Sequence, residues 1–190
     1  MEKYVYIIAG CNGAGKTTAS NTILPEILDC KEFVNADEIA NSISPFQPEK
    51  VAFTSGRIML SRIDELLLKG ESFSFETTLA AKSYQHLIKE AQKKGFVVIL
   101  LFFWLRTIGL AKERVVTRVK EGGHNIPEDV IERRYKAGIT NLFHIYLPLV
   151  DAWLIYDNSD SEPDYIASKD QDGTYKIKNV VKWQQLNQAQ

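Results

Sequence analysis

Cysteine is scarce in this chain: two residues, Cys11 and Cys30, among 190. Two cysteines cannot make a disulfide framework, so a reducing compartment is the expected setting. Charge of one sign is also lacking. With 23 Lys and Arg against 24 Asp and Glu, the formal net charge is −1. A broad basic field of the kind that sustains nonspecific nucleic-acid binding is therefore missing. The three histidines lie apart, and no His/Cys cluster suggests a transition metal. Long hydrophobic runs are missing too. The longest, FVVILLFFWL at 96–105, has the length of a buried strand and not of a membrane span. The N-terminal run YVYIIAG breaks at glycine too early for a signal peptide. There are no repeats and no low-complexity segment. These absences leave a cytoplasmic protein without a membrane partner. Its length fits one domain over 1–190 with a real core, and 45% hydrophobic and 25% charged residues are ordinary for that class.

What is present alternates. Short apolar runs at Tyr4–Ala9, Glu32–Asn35, Ser72–Glu76, Phe96–Leu105 and Ala152–Tyr156 read as five strands. Amphipathic stretches between them read as helices at 16–28 (ending near Asp29), 48–69 (stopped by Gly70), 82–94 (closed by Gly95), 108–121 and 128–146. Strands without polar alternation, separated by helices, indicate an α/β fold: a parallel sheet covered on both faces. The tail differs. Residues 163–187 read as a β-hairpin turning at Asp172-Gly173, then a short helix, attached to the domain as an appendage.

The most informative stretch is AGCNGAGKTT, residues 9–18. It matches G-x-x-x-x-G-K-[ST], it follows an apolar strand and it opens a helix. Glycines let the backbone turn tightly around phosphate oxygens and aim its N–H groups inward. The helix adds its positive end. Gly10, Asn12, Gly13, Ala14, Gly15, Lys16, Thr17 and Thr18 are the expected nucleotide-binding residues, with Lys16 on the β- and γ-phosphates and the Thr17 hydroxyl on Mg²⁺. ATP and Mg²⁺ are the expected cofactors. A dinucleotide loop would order its glycines G-x-G-x-x-G and would have no use for a Lys-Thr pair, although Asp37 does lie about 20 residues on, where a ribose-binding acid sits. Cys11, at a helix N-terminus, could be a reactive thiol or an incidental one. Cys30 reads as packing.

Many phosphate-loop NTPases place a magnesium-binding aspartate at the end of an apolar strand. Here the best such strand ends in Trp104-Leu105-Arg106, and no acid follows. That disfavours a motor or a switch GTPase and favours a small kinase, whose acid can come from another strand. Two acids qualify. Asp37, in FVNADEIA, follows the second strand and could take the acceptor's proton; its structural alternative is a helix cap. Glu76, in FSFETTLA, ends the third strand beside Thr77 and Thr78, and could bind a sugar hydroxyl or a water on Mg²⁺; its alternative is also a cap.

The segment AKERVVTRVKEGGHNIPEDVIERRY carries Arg114, Arg118, Arg133 and Arg134. Two arginine-bearing helices joined by Gly122-Gly123 suggest a mobile lid over about 110–135, closing positive charge onto the transferring phosphoryl group. Arg118 and Arg134 are the favoured residues. The alternative is a solvated face paired with Glu113, Glu121 and Glu132. His124, in the loop, is either surface or a phosphate or base contact.

GCNGAGKTT, NADEIA, SFSFETTLA, the arginine block and IYDNS, in this order, resemble the zeta-toxin family over about residues 4–159. The FETTL run differs from the acid–glycine–threonine run of its best-known toxins. The resemblance implies a phosphate-loop kinase of nucleotide-kinase type with a five-stranded parallel sheet. It implies transfer from ATP to a hydroxyl of UDP-N-acetylglucosamine or a related nucleotide sugar. It puts the catalytic aspartate at Asp37, a substrate contact at Glu76 and phosphate-binding arginines near Arg118 and Arg134. It also admits an antitoxin protein as partner. Two other functions fit the residues: a nucleic-acid end or RNA-modifying kinase, and an ATP-binding regulatory module without transferase activity.

Overall fold

The computed structural model describes residues 2–20, 28, 30–123 and 125–190. The apolar runs form strands because each can bury both faces. β1 (Lys3–Ala9) is buried from Val5 onward, and β4 (Phe96–Trp104) along most of its length. With β2 (Phe33–Val34), β3 (Phe73–Thr77) and β5 (Ala152–Asp157) they make five parallel strands in the order β2-β3-β1-β4-β5. β1 lies at the centre, so its C-terminal end opens between β3 and β4. In such sheets the crevice at the strand ends is the ligand site.

The tail corrects the expectation of an appendage. β6 (Asp164–Lys169) pairs antiparallel with β5, and β7 (Tyr175–Ile177) pairs antiparallel with β6, so the sheet has seven strands among the described residues. The outer edge of β5 carries backbone groups that need partners, and the hairpin supplies them.

The helices cover the sheet. α1 is helical over the described residues 16–20; the rest of its expected course falls on residues outside the described ones. α2 (Ala36–Ile43) follows β2. The expected helix at 48–69 is a 3₁₀ turn at Pro48–Val51 running into α3 (Ala52–Lys69), closed by Gly70 at φ 70°. α4 (Tyr84–Lys93) joins β3 to β4, and α5 (Ile108–Lys120) and α6 (Glu128–Asn141) join β4 to β5. The reading of one helix over 128–146 gives way to α6, a π turn at Leu142–Tyr146 and α7 (Leu147–Leu149). Pro148 has no N–H to donate four residues back, and the ladder widens just before it. α8 (Val180–Gln188) packs Trp183 flat against Trp153 of β5, ring centroids 5.8 Å apart at 5°. No described helix is long and apolar enough to cross a membrane.

Candidate active site

β1 delivers the chain directly into the glycine loop. Gly10 sits at φ 149°, and a Cβ there would lie 2.3 Å from the Phe103 carbonyl oxygen of β4, so only glycine lets the loop leave this close to the neighbouring strand. The loop is then held from inside. The Lys16 ammonium donates to the Cys11 carbonyl at 2.9 Å and lies 3.4 Å from Glu76 Oε1, with both side chains nearly buried. Cys11 itself is packed away. Burial pushes its thiol up to about 11 despite the nearby Lys16, which rules against the reactive-thiol reading.

Glu76 is the hub. It leaves β3 at the position paired with Ile8 of β1, one residue short of the loop. The Thr17 hydroxyl donates to its Oε2 at 2.8 Å and the Asn35 amide at 3.0 Å. It is therefore no helix cap. The acid missing after β4 is present near the end of β3, on the other side of the strand that carries the loop. The carboxylate that ends β5, Asp157, is committed elsewhere: Lys182 Nζ lies 2.6 Å away and Arg106 Nε 3.4 Å.

Asp37 is not the cap either. Asn35 caps α2, its Oδ1 accepting from the backbone N–H of Asp37 at 2.8 Å and of Glu38 at 3.4 Å. The signal was legible: Asn35 followed three residues later by Glu38 is a capping-box spacing. Asn35 is thus a residue the sequence reading passed over. One face of its amide starts the helix, and the other holds Glu76. Freed from capping, the Asp37 side chain faces the crevice. Glu38 stands beside it, its carboxyl raised by burial and then by the like charges of Glu76 and Asp37.

Two clefts meet here. The first, about 160 Å³, follows the glycine loop and is lined by Gly13, Gly15, Thr17, Thr18, Arg114 and Arg118. The second, about 250 Å³, is lined by Ala36, Thr77, Thr78, Tyr84 and Arg134, among others. Asn12, Lys16, Asp37 and Glu76 line both. Ala14 lies buried under the loop, where its carbonyl accepts from Asn158.

The arginines separate cleanly. Arg118 Nε and Nη2 are buried and have no hydrogen-bond partner among the described residues. A guanidinium buried with free donors beside a loop of inward amides suits an anion such as a polyphosphate. Arg134 reaches from α6 into the second cleft, with Nη1 3.3 Å from Asn12 Oδ1. Arg114 braces the loop, donating to the Ser159 carbonyl at 3.0 Å and, more weakly, to that of Gly13 at 3.5 Å. Arg133 is exposed and lines neither cleft. Glu132 pairs with Lys112 and Lys136, so the expected acid–arginine face does not form there. Gly122 and Gly123 do more than break α5. Their N–H groups donate to the carbonyls of Val119 and Arg118 at 3.1 and 2.9 Å, a Schellman cap that fixes the turn carrying Arg118. His124 lies outside the described residues.

The wall of the second cleft is held from behind. After β3 the chain passes through Leu79, buried and at φ 58°, a conformation that costs a branched side chain about 1–3 kcal/mol. Neighbouring contacts enforce it. Asn141 donates to the carbonyls of Leu79 and Ala80 at 2.8 and 3.1 Å, and the Tyr146 hydroxyl donates to that of Ala81. Gly138 of α6 lets the Thr78 carbonyl approach to where its Cβ would be, 2.5 Å away.

Comparison with known proteins bears on the family and the fold. A family model described as Zeta toxin matches residues 1–170. A protein of Haemophilus influenzae (strain ATCC 51907 / DSM 11121 / KW20 / Rd), described as uncharacterized, is 29% identical over 137 residues, which is 71% of this chain and 94% of that one. Among solved structures, a chain of the AvrRxo1-ORF1:-ORF2 complex with ATP superposes with a TM-score of 0.81 at 17% identity, over 100% of this chain and 64% of that one. This chain thus spans less than two thirds of that neighbour's length. A chain of the PezAT chromosomal toxin-antitoxin system of Streptococcus pneumoniae superposes with a TM-score of 0.69 at 16% identity, over 99% and 84%. Identities this low establish the shared fold.

Proposed function

This chain belongs to the zeta-toxin family, and on that premise we propose that it is a kinase transferring the γ-phosphate of ATP to a hydroxyl of UDP-N-acetylglucosamine or a related nucleotide sugar. The observation that carries the reading is the junction of the two clefts, where Asn12, Lys16, Asp37 and Glu76 face both. A phosphoryl group moving from one bound molecule to another needs such a shared wall.

In this reading the acceptor lies in the second cleft. Its hydroxyl oxygen bonds to the γ-phosphorus while the bond from that phosphorus to the β–γ bridging oxygen breaks. The electron pair stays on the bridging oxygen, and ADP leaves. Asp37 accepts the hydroxyl proton. The loop amides, Lys16 and Arg118 hold the charge spread over the equatorial oxygens, and Arg134 meets it from the acceptor side. Thr17 and Glu76, an oxygen pair 2.8 Å apart, suit a hard cation, and they would hold Mg²⁺. Held there, the ion would supply positive charge to offset that of the phosphates. The proposed partner protein is an antitoxin, as in the pneumococcal system, and the proposed setting is the cytoplasm.

The test is phosphate transfer from γ-labelled ATP with Mg²⁺ to a panel of nucleotide sugars, comparing the native chain with Asp37→Asn. The expected outcome is a labelled sugar with the native chain, and ATP binding without transfer in the variant. Label passing instead to oligonucleotide ends, or to no acceptor at all while ATP is bound, would replace this reading with one of the two alternatives above.

A further inference from the structure

The C-terminal helix lies beyond the residues that the family model matches, which end at 170. Its contacts lead to the nucleotide. Lys182, in the first turn of α8, is mostly buried and places Nζ 2.6 Å from Asp157 Oδ2 and 2.9 Å from Asp164 Oδ2. Asp157 is the last residue of β5 and is 1% exposed. Its Oδ1 accepts from the backbone N–H of Ser159 at 3.0 Å and from the Ser159 hydroxyl at 2.5 Å. The short loop that follows touches the phosphate loop twice: Asn158 Nδ2 donates to the Ala14 carbonyl at 2.8 Å, and the Ser159 carbonyl receives Arg114, which also reaches Gly13. The same loop walls a cavity of about 640 Å³ next to Gly15 and Thr18, lined further by Phe103, Tyr156 and Asp160. A buried carboxylate at the root of a loop fixes that loop only while its charge is matched. Arg106 contributes at 3.4 Å, but its side chain is 41% exposed and shared with Asp160, so Lys182 is the closer and better shielded partner.

We propose that α8 is a positioning element for the nucleotide: Lys182, through Asp157, pins the 158–160 loop against the phosphate loop and so sets the affinity for ATP. Lys182 touches neither substrate. Its effect is therefore on ATP binding and not on the chemical step.

The experiment measures binding of a fluorescent ATP analogue, together with KM and kcat where transfer is seen, in the full-length chain. Lys182→Met keeps the aliphatic stem and removes the charge. Its ATP affinity is expected to fall roughly tenfold, with kcat at saturating ATP and the acceptor KM unchanged within about twofold. Lys182→Arg restores the affinity. Because Lys182→Met leaves a buried carboxylate short of a partner and could unfold, Asp157→Asn/Lys182→Met is measured beside it. There the stranded charge is gone, the thermal midpoint recovers, and ATP affinity stays weak because the tether is still missing. Native ATP affinity in either folded variant overturns the proposal, as does a fall in kcat with affinity intact. The binding readout needs no acceptor, so it stands even if the nucleotide-sugar reading fails.

Discussion

Arg118 is where a single side chain separates function from structure most sharply. A guanidinium that holds the fold together has partners in the fold, and Nε and Nη2 of Arg118 have none among the described residues. Arg118→Ala should therefore lower transfer roughly 10²–10³-fold, the usual loss for one charge-stabilising donor. Its unfolding free energy should stay within about 1 kcal/mol of the native value. Chemical denaturation beside a transfer assay checks this, and a stability loss that accounts for the activity loss would make Arg118 structural. At this scale position is legible in the sequence where residue type and spacing dictate it. Lys16, Thr17, Asp37 and Glu76 line the crevice, and Gly10 is where the loop passes against β4, because the loop pattern and the strand ends admit little else. The cap role of Asn35 was legible in its spacing to Glu38, but its hold on Glu76 was not, since that contact exists only once β2 and β3 are side by side. The choice among four arginines depended on helical phase against a cleft, and sequence carries no information on where the cleft lies.

At the scale of elements, the acceptor wall depends on how closely α6 can cross the chain that follows β3. Gly138→Ala adds a methyl group 2.5 Å from the Thr78 carbonyl, backbone against backbone, where neither side can give. Overpacking of this kind costs about 1–3 kcal/mol, against which alanine returns about 1 kcal/mol of helix propensity. A small net loss of stability is expected. The acceptor KM should rise more than the ATP KM, because Thr78 lines the second cleft and not the first. Steady-state kinetics with each substrate varied in turn reads this, and an equal rise in both would place the disturbance in the phosphate loop instead. The strands and helices themselves were legible from apolar runs and glycine stops. The π turn at Leu142–Tyr146 was not, because its cause, Pro148, sits beyond the periodic stretch and its use, carrying Tyr146 to the Ala81 carbonyl, is tertiary.

At the scale of the whole molecule, one buried charge pair joins the tail to the core beside the β5–β6 ladder and the Trp153–Trp183 stack, and pH reports on it. Burial alone would raise the Asp157 carboxyl, but Lys182 and the two Ser159 donors outweigh it and hold it below its ordinary value of 3.8. A carboxylate lowered on folding stabilises fully above its unfolded pKa, and that contribution is lost as pH falls through the lower, folded value. Acid unfolding followed by circular dichroism should therefore show a shallower fall of stability below about pH 3.8 in Asp157→Asn than in the native chain. Identical acid limbs would mean that the pair contributes nothing to folding. The α/β class was readable from alternation alone, but the joining of the hairpin to β5 was not, since a hairpin pattern reads the same whether it floats or docks. That docking leaves β2 and β7 as the two margins of the sheet, two and three residues long. Margins so short offer a second copy few unpaired amides to build on. The long apolar strands most prone to cross-molecule stacking, β1 and β4, are enclosed in the middle, so the sheet presents none of them at an edge for a neighbouring molecule to extend.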